Sequence, residues 1–472
     1  MKTERVSQTV LLAWAGAVVA CAVVLYAPIG VPWPGGSGPA GDGPPPAPGP
    51  AARAVAAAHA GAQASLPELA ALITDREKWL RAHPGDDASW AALGAAYVER
   101  GARTGRAADF PRAERALKRS LAAHPAAEGN VDAQLAMGAL ANARGDFRAA
   151  KRWGEAAAKQ RPRRWQTYPV LIDAYGGLGD QAAAGKAAER LRELRSGAPA
   201  LTGAARVYRD LGWREDAAAA AQDAVALAAS PAEKAACLAR LGDLAWERGE
   251  PREAARHYGT ALRLVPGHAP SLVGRARALA ALGRPAEAGR DYEAALKAAP
   301  LPRYALEAGD WSASRGRVAE AEARYAVLRA RAAEGAAHGV NQSLVLARYE
   351  ADHGTPDRAV TWLRAEWARG HRSAEVADAL GWALLRAGRA AEALPYARRA
   401  TEQGPRSALF SYHRAEIERE LQLYGAARRH LDEALRTNPS FSPLLAPKAR
   451  AALAELGDPP PGGPSAARGR VG

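Results

Sequence analysis

Histidine and cysteine side chains are the residues of this chain best suited to hold a metal ion or to act as nucleophiles. The ten histidines include no pair spaced three or four residues apart, and no group of Cys and His has the spacing of zinc ligands. Cys237 falls in a predicted helix without a His and Asp constellation, so we interpret it as a small buried hydrophobic residue. We expect no metal site and no thiol chemistry.

Glycine-rich stretches are the next candidates, because they can bind phosphate groups. Residues 36–41 (GSGPAG) match the G-x-G-x-x-G spacing of a dinucleotide site, but that site needs a preceding strand and a following helix, and here a proline run follows. Gly185-Lys186 lacks the upstream Gly and the following Ser or Thr of a phosphate loop. We therefore expect no cofactor, no small-molecule substrate and no enzymatic activity.

Composition and charge indicate which secondary structure contains these residues and what kind of surface it has. The chain has 472 residues, of which 48% are hydrophobic, and only 4 are Phe and 2 are Met. Dense runs of the Val, Ile and Phe that central strands need are rare, which indicates an all-α protein. The net charge is +14, from arginines scattered among acidic residues. This pattern indicates a solvated helix surface, and a patch that faces an anionic partner is the alternative.

The N-terminus contains one long apolar run. Val10 to Gly30 is 21 residues without a charge, long enough to span a bilayer as a helix. The basic residues of 1–9 precede it, so we predict a cytoplasmic N-terminus and export of the rest, with the protein in the cell membrane as a single-pass anchor. In one alternative, Val18 to Cys21 resembles a lipobox and Cys21 is lipidated. In the other, the run is a cleaved signal and the protein is secreted. Residues 31–64 are predicted to be a Pro/Gly/Ala-rich linker.

A residue that suits a helix turn recurs along the rest of the chain at intervals of 34, 33, 37, 34, 33, 38, 34 and 34 residues. The positions are Gly145, Gly179, Gly212, Gly249, Gly283, Gly316, Gly354, Gly388 and Gln422. Proline follows 17 residues later at Pro162, Pro266, Pro300, Pro405 and Pro439. Because proline cannot continue a helix, each unit is predicted to contain two helices.

Several units also carry a shared set of side chains. Trp90, Leu93, Gly94 and Tyr97 form one such set, and Leu238, Leu241, Gly242, Ala254, Tyr258, Ala261 and Pro266 form another. A third consists of Leu272, Leu279, Gly283, Ala288, Tyr292, Ala295 and Pro300. With the period near 34, these sets resemble the tetratricopeptide repeat family. The whole chain is similar to membrane-anchored bacterial, actinobacterial-like proteins of that kind.

This resemblance implies an all-α, right-handed superhelix over residues 65–457. A half-unit, 65–84, comes first, and a capping helix, 443–457, comes last. The tail, 458–472, is expected to be disordered. About ten hairpins are expected between the half-unit and the cap, starting near 87, 131, 165, 198, 234, 269, 302, 340, 374 and 408. These hairpins use almost all of the chain, which leaves no room for a catalytic domain.

The resemblance also implies that the first helix of each hairpin lines a concave groove. By register, that face includes Asp243, Trp246, Glu247, Arg277, Arg303, Asp310, Asn341, Arg348, Glu375, Asp378, Trp382, Arg386, Tyr412, Glu416 and Arg419. We select Trp246, Trp382 and Tyr412 as anchors, with Arg277, Asn341, Arg348, Arg386 and Arg419 beside them, because aromatic and Arg side chains dominate interface energetics. The alternative is that each aromatic packs between adjacent helices.

Two functions are compatible with these features. The first is a membrane-tethered, extracytoplasmic scaffold that holds a protein or an extended peptide in the groove. The second is a binder of an anionic polymer, either a cell-wall glycopolymer or nucleic acid, through its Arg-rich surface. We expect the first, with nucleic acid as the less favoured partner.

Overall fold

The described residues, 49–402 and 404–457 of a computed structural model, are all-helical. They contain 23 α-helices and one short 3₁₀ turn, Ala126–Glu128, and no strand is present in these two ranges. The all-α solenoid predicted from the sequence is therefore confirmed for them. The predicted N-terminus (1–9), membrane helix (10–30) and tail (458–472) lie outside the described residues, as does Cys21. Among the helices that are described, none is both long and apolar enough to cross a bilayer.

The helices pair in chain order. After α1 and α2, helices α3 to α22 form ten consecutive pairs, and α23 packs on α22. The bounds are α1 Pro50–Ala60, α2 Leu66–Ala82, α3 Asp87–Thr104, α4 Asp109–Ala123, α5 Val131–Arg144, α6 Phe147–Gln160, α7 Thr167–Leu178, α8 Gln181–Leu194, α9 Ala198–Asp210, α10 Arg214–Leu227, α11 Pro231–Glu247, α12 Pro251–Leu264, α13 Ala269–Ala281, α14 Pro285–Ala298, α15 Pro302–Ser314, α16 Val318–Ala337, α17 Ser343–His353, α18 Pro356–Ala368, α19 Ala374–Arg386, α20 Ala390–Glu402, α21 Ala408–Glu420, α22 Tyr424–Thr437 and α23 Ala446–Leu456.

The turn inside each hairpin explains the recurring glycine. Gly145 ends α5 with a φ of 75°, a left-handed conformation that costs glycine little, and the Asp146 side chain then caps α6 by accepting from the Ala149 N–H. Gln422 is the only non-glycine with positive φ in the described ranges, at 60°. Gly354 is different, because its φ is −133°, so that turn is not of the left-handed type.

Tyrosines wedge between neighbouring hairpins, and glycines make room for them. The Tyr258 side chain on α12 is fully buried, and its hydroxyl donates to Asp243 at 2.7 Å. A Cβ added at Gly242 or Gly274 would lie 2.5 or 2.2 Å from the Tyr258 ring, so the ring is held between α11 and α13. Tight packing of this kind places the first helices side by side.

Residues 50–60 form a helix, which differs from the predicted linker. The stretch is Ala-rich, and alanine has the highest intrinsic helix propensity. Pro50 stands in its first turn, where a missing N–H costs nothing, and Gly61 ends it with a φ of 69°. Ala54 is buried, and it packs in one cluster with Leu69 and Leu72 of α2.

Successive turns of the superhelix touch each other directly. The Asn341 N–H donates to the Arg144 carbonyl at 2.8 Å, and the Asn438 side chain donates to the Trp246 carbonyl at 2.7 Å, across 192 residues. We call this line of contacts the inter-turn seam. It places Gly105 against Leu301, Gly145 against Asn341, Gly179 against Arg372 and Ser373, Gly212 against Gly404 and Arg406, and Gly249 against Thr437 and Asn438.

Candidate partner-binding cavity

A cavity of about 1120 Å³ is lined mainly by the first helices of the hairpins. Most lining residues come from α3, α5 and the odd-numbered helices α9 to α21, and from the loops that precede α15, α17, α21 and α23. The second helices α4, α14 and α16 contribute Phe110, Tyr292, Arg331 and Gly335. The inter-turn seam contributes Gly105, Gly145 and Asn341 to this wall. Part of the surface that the sequence predicts as a concave groove therefore lines this cavity, which is partly open and is bounded where successive turns meet.

The charges in the cavity wall balance. Seven arginines line it, and so do seven carboxylates. They are Arg209, Arg240, Arg277, Arg303, Arg331, Arg348 and Arg406, and Asp243, Glu247, Glu307, Asp310, Asp352, Glu375 and Asp378. Because the whole chain carries +14, the excess positive charge lies away from the cavity wall.

Many of these charges are already matched within the wall. The Arg277 guanidinium donates to both carboxylate oxygens of Glu307, from Nε at 2.8 Å and from Nη2 at 2.7 Å. Burial opposes the charge of Arg277, but the Glu307 carboxylate outweighs it and raises the pKa of this arginine well above its usual range. Such bidentate pairs fix their side chains and make the wall rigid.

Three wall charges have no such match. Arg348 on α17 and Glu375 on α19 are half-buried, and neither makes a hydrogen bond or ion pair within the described residues. Arg406 is exposed, and its side chain likewise makes no hydrogen bond or ion pair in the described part of the chain. Arg303 is exposed too, and it donates to the Tyr304 hydroxyl at 3.3 Å, with the guanidinium 4.8 Å from the Tyr304 ring centre. These side chains keep their bonding capacity for a ligand.

The aromatic anchor candidates are buried between helices. Trp246, Trp382 and Tyr412 keep 7%, 6% and 2% of their surface exposed. The Trp246 ring lies 5.5 Å from the Arg277 guanidinium, and the Trp382 indole N–H donates to Asp352 at 2.9 Å. Trp246 and Trp382 still reach the cavity wall, whereas Tyr412 is not among the lining residues. Large rings at this register fill the gap between adjacent first helices.

The polar candidates divide into two groups. Arg277, Asn341 and Arg348 line the cavity. Arg386 and Arg419 are not among the lining residues, because each turns to a carboxylate on a neighbouring helix, Arg386 to Asp352 and Arg419 to Glu455, both at 3.1 Å. A role in binding stays a prediction for all eight selected residues.

A buried histidine in the wall was missed by the sequence reading. His413 is 5% exposed, and its Nδ1 lies 2.9 and 3.1 Å from the carboxylate oxygens of Asp378. Its ring stacks on Trp382 at 4.1 Å. The register of the repeats predicts Tyr412, the residue before His413, as the side chain that faces the groove. The 35-residue separation of Asp378 and His413, one repeat, is the signal that could have paired them.

A second histidine pairs in the same way with a wall carboxylate. His353 Nε2 lies 2.8 Å from Asp310, which also accepts from the Tyr325 hydroxyl at 2.9 Å. Burial opposes protonation of His353, but the hydrogen bond to Asp310 outweighs it and raises the pKa of the imidazole. Within the described ranges, no group of three or more His, Cys, Asp or Glu is arranged to hold a metal ion. Cys237 is buried, which raises the pKa of its thiol.

Comparison with solved structures gives distant similarity. One is an APC/C hetero-tetramer of Cut9 and Hcn1, at 14% identity and a TM-score of 0.42, with 78% of this chain and 76% of that chain covered. Another is a human IFIT1 dimer with PPP-AAAA, at 16% identity and a TM-score of 0.43, with 74% and 81% covered. A third is MamA, at 22% identity and a TM-score of 0.28, with 35% and 90% covered. A search of curated protein sequences gives no match.

A family model described as tetratricopeptide repeat matches two segments, residues 239–301 and 379–443. The first segment runs from α11 to the end of α14, and the second runs from α19 past the end of α22. Each therefore covers two hairpins, and both contribute first helices to the cavity wall. These two segments of the chain are therefore similar to tetratricopeptide repeats.

Proposed function

We propose that this protein is a non-catalytic scaffold that holds an extended segment of a protein partner in the cavity. The observation that carries the proposal is the charge-balanced wall with Arg348 and Glu375 unmatched in it. A peptide offers charges of both signs and a regular series of amide donors and acceptors, which such a wall can bind. Pockets for small ligands are about 300–1,000 Å³. This cavity, at about 1120 Å³, is larger, and its charges of both signs suit a peptide.

The proposal includes a membrane tether on the extracytoplasmic side. It is supported by the uncharged run Val10–Gly30 and the basic residues before it. A reporter enzyme fused after Gly472 tests it, because an exported domain gives activity only outside the cytoplasm. Fatty-acid labelling of the protein and of Cys21→Ala then separates an anchor from a lipoprotein, since only lipidation at Cys21 gives label that the variant loses.

The absence of catalysis is also proposed, from how the chemistry-bearing groups are used. Cys237 is buried with a raised thiol pKa, which disfavours the reactive thiolate. His353 and His413 are engaged with the wall carboxylates Asp310 and Asp378. Turnover of a bound peptide by the purified full-length protein, lost in His413→Phe, would contradict this part of the proposal.

Photocrosslinking tests where a partner binds. A photoreactive amino acid is placed at Leu306, which lines the cavity, and in a matched control at Leu227, which is 57% exposed at the end of α10. With full-length protein in its native membrane, position 306 should give a discrete crosslinked partner. Position 227 should not crosslink to that partner. Arg348→Ala should weaken the crosslink. The same products from both positions, or none from 306, would contradict binding in the cavity.

Binding of an anionic polymer is the second candidate, and one observation favours it. The chain carries +14 while its cavity wall is balanced, so an anionic polymer would bind the outer surface. Affinity for a polyglutamate probe should then fall steeply between 50 and 200 mM salt, because bound anions release counterions. It should also be unchanged in Arg348→Ala. Weak salt dependence would contradict this candidate.

A further inference from the structure

The acidic side of the cavity contains a buried imidazole with one unused nitrogen. The Asp378 carboxylate can only accept hydrogen bonds, so the Nδ1 of His413 that contacts it carries the proton. In the neutral ring, Nε2 is then an acceptor. This Nε2 is buried and has no hydrogen-bond partner among the described residues, although His413 lines the cavity. An unpaired buried acceptor costs free energy that a donor from a ligand would recover.

A carboxylate without a counter-charge lies one helical turn away. Glu375 and Asp378 are three residues apart on α19, and residues at this spacing are neighbours on a helix surface. Asp378 is 3% exposed and engaged with His413, whereas Glu375 is half-buried and makes no ion pair within the described part of the chain. The two side chains and the imidazole therefore present acceptors only.

One arginine interacts with Glu375 by charge, but its hydrogen bonds go to other carboxylates. Arg209 on α9 donates to both oxygens of Glu247, at 2.8 and 3.0 Å, and to Asp210 at 2.8 Å. Burial raises the pKa of the Asp210 carboxyl, and the charge of Glu375 raises it further, against the opposing charge of Arg209. The Arg209 guanidinium thus makes its hydrogen bonds to Glu247 and Asp210 and leaves Glu375 without one.

We propose that Glu375, Asp378 and His413 form a subsite that binds a basic side chain, Lys or Arg, of the segment held in the cavity. This rests on the proposed peptide-binding function and adds the kind of residue that the partner must offer. An ammonium or guanidinium group has several N–H donors and no acceptor, which matches the acceptors that Glu375 and His413 Nε2 present. It also supplies the ion pair that Glu375 does not make within the described residues.

The subsite is tested with three fluorescent dodecapeptides on the purified full-length protein. They share one Ala/Gly/Ser scaffold and acetylated and amidated ends, and carry four Lys, four Gln or four Glu. The outer surface of this basic protein attracts the Glu peptide, so a preference for Lys can only come from a local acidic site. We expect the Lys peptide to bind at least tenfold more tightly than the Gln peptide in fluorescence anisotropy.

Two variants and two controls complete the test. Glu375→Gln and His413→Phe should each lower affinity for the Lys peptide about tenfold and leave affinity for the Gln peptide unchanged. Glu293→Gln, whose side chain is 71% exposed, and Arg348→Ala should keep the Lys preference. Binding of all three peptides without that preference overturns the subsite but not the scaffold function. The subsite alone is likewise overturned if Glu375→Gln keeps the same affinity for the Lys peptide as Glu293→Gln. No binding by any peptide overturns both.

Discussion

Alanine in place of Gly179 should separate the two superhelical turns. Gly179 ends α7 with a φ of 74° and belongs to the inter-turn seam. A Cβ at this position would lie 2.2 Å from the Arg372 carbonyl oxygen and 3.0 Å from the Ser373 nitrogen. Both are backbone atoms and cannot rotate away. Gly388 is the matched control, because its φ is 75° and a Cβ there meets nothing within 4 Å.

The two substitutions share one cost and differ in another. Alanine in a left-handed conformation costs about 1–2 kcal/mol, and this applies to Gly179→Ala and Gly388→Ala alike. Only Gly179→Ala adds overpacking against a neighbouring backbone, about 1–3 kcal/mol. The difference between the variants therefore isolates the contact between turns, and we expect it to be about 1–3 kcal/mol.

Two measurements on the same samples decide the outcome. Urea unfolding, followed by circular dichroism, should give a lower midpoint for Gly179→Ala than for Gly388→Ala, with both below the unsubstituted protein. Small-angle X-ray scattering should show an increased radius of gyration only for Gly179→Ala. Equal midpoints and equal radii in the two variants would refute direct contact between the turns.

Three further results are expected from other parts of the structure. Leu380→Ala, at a fully buried site, should destabilise the protein by about 2–5 kcal/mol, against less than about 0.5 kcal/mol for the exposed Leu227→Ala, as measured by urea unfolding. Asn438→Ala should cost about 0.5–1.5 kcal/mol, because it removes one hydrogen bond to the Trp246 carbonyl, which keeps the Gly249 N–H as a donor at 2.9 Å; a neutral effect in thermal unfolding would contradict this seam bond. Burial opposes the charge of Glu366, but hydrogen bonds outweigh it and lower the pKa of this carboxyl. Its stabilisation is therefore present above pH 4.5 and lost as pH falls below it, so Glu366→Gln should flatten the pH dependence of the unfolding midpoint in that acidic range.

Local rules account for most of what the sequence predicted about the fold. A left-handed turn favours glycine, so the spacing of glycines in the sequence predicts where each hairpin turns. The helix starts observed at Asp87, Val131, Ala198, Ala269 and Ala374 are the residues at which hairpins were expected to begin. At α11 and α17 the observed starts, Pro231 and Ser343, differ by three residues, because the extra residues before these helices shift their caps.

Contacts between distant turns were beyond the same rules. The seam joins residues about 190 apart through backbone groups such as the Arg144 and Trp246 carbonyls, which every residue type has. No side-chain pattern marks them. Side-chain direction was the second obstacle, because register placed Tyr412 in the groove whereas its ring packs against Trp382 and Phe441. Register gives the face of a helix, but packing decides which side chain on that face reaches a cavity.

The seam also changes what a partner must do to bind. In most solenoids each repeat contacts only its neighbours, and the concave surface is open along its length. Here Asn341 and Asn438 join one turn to the next by hydrogen bonds, and they lie in the wall of the cavity itself. A segment that enters from the side must break such bonds, whereas one that threads along the axis need not. A ligand that binds only when the seam contacts are intact stabilises that state of the protein. Occupation of the cavity should therefore also strengthen the seam.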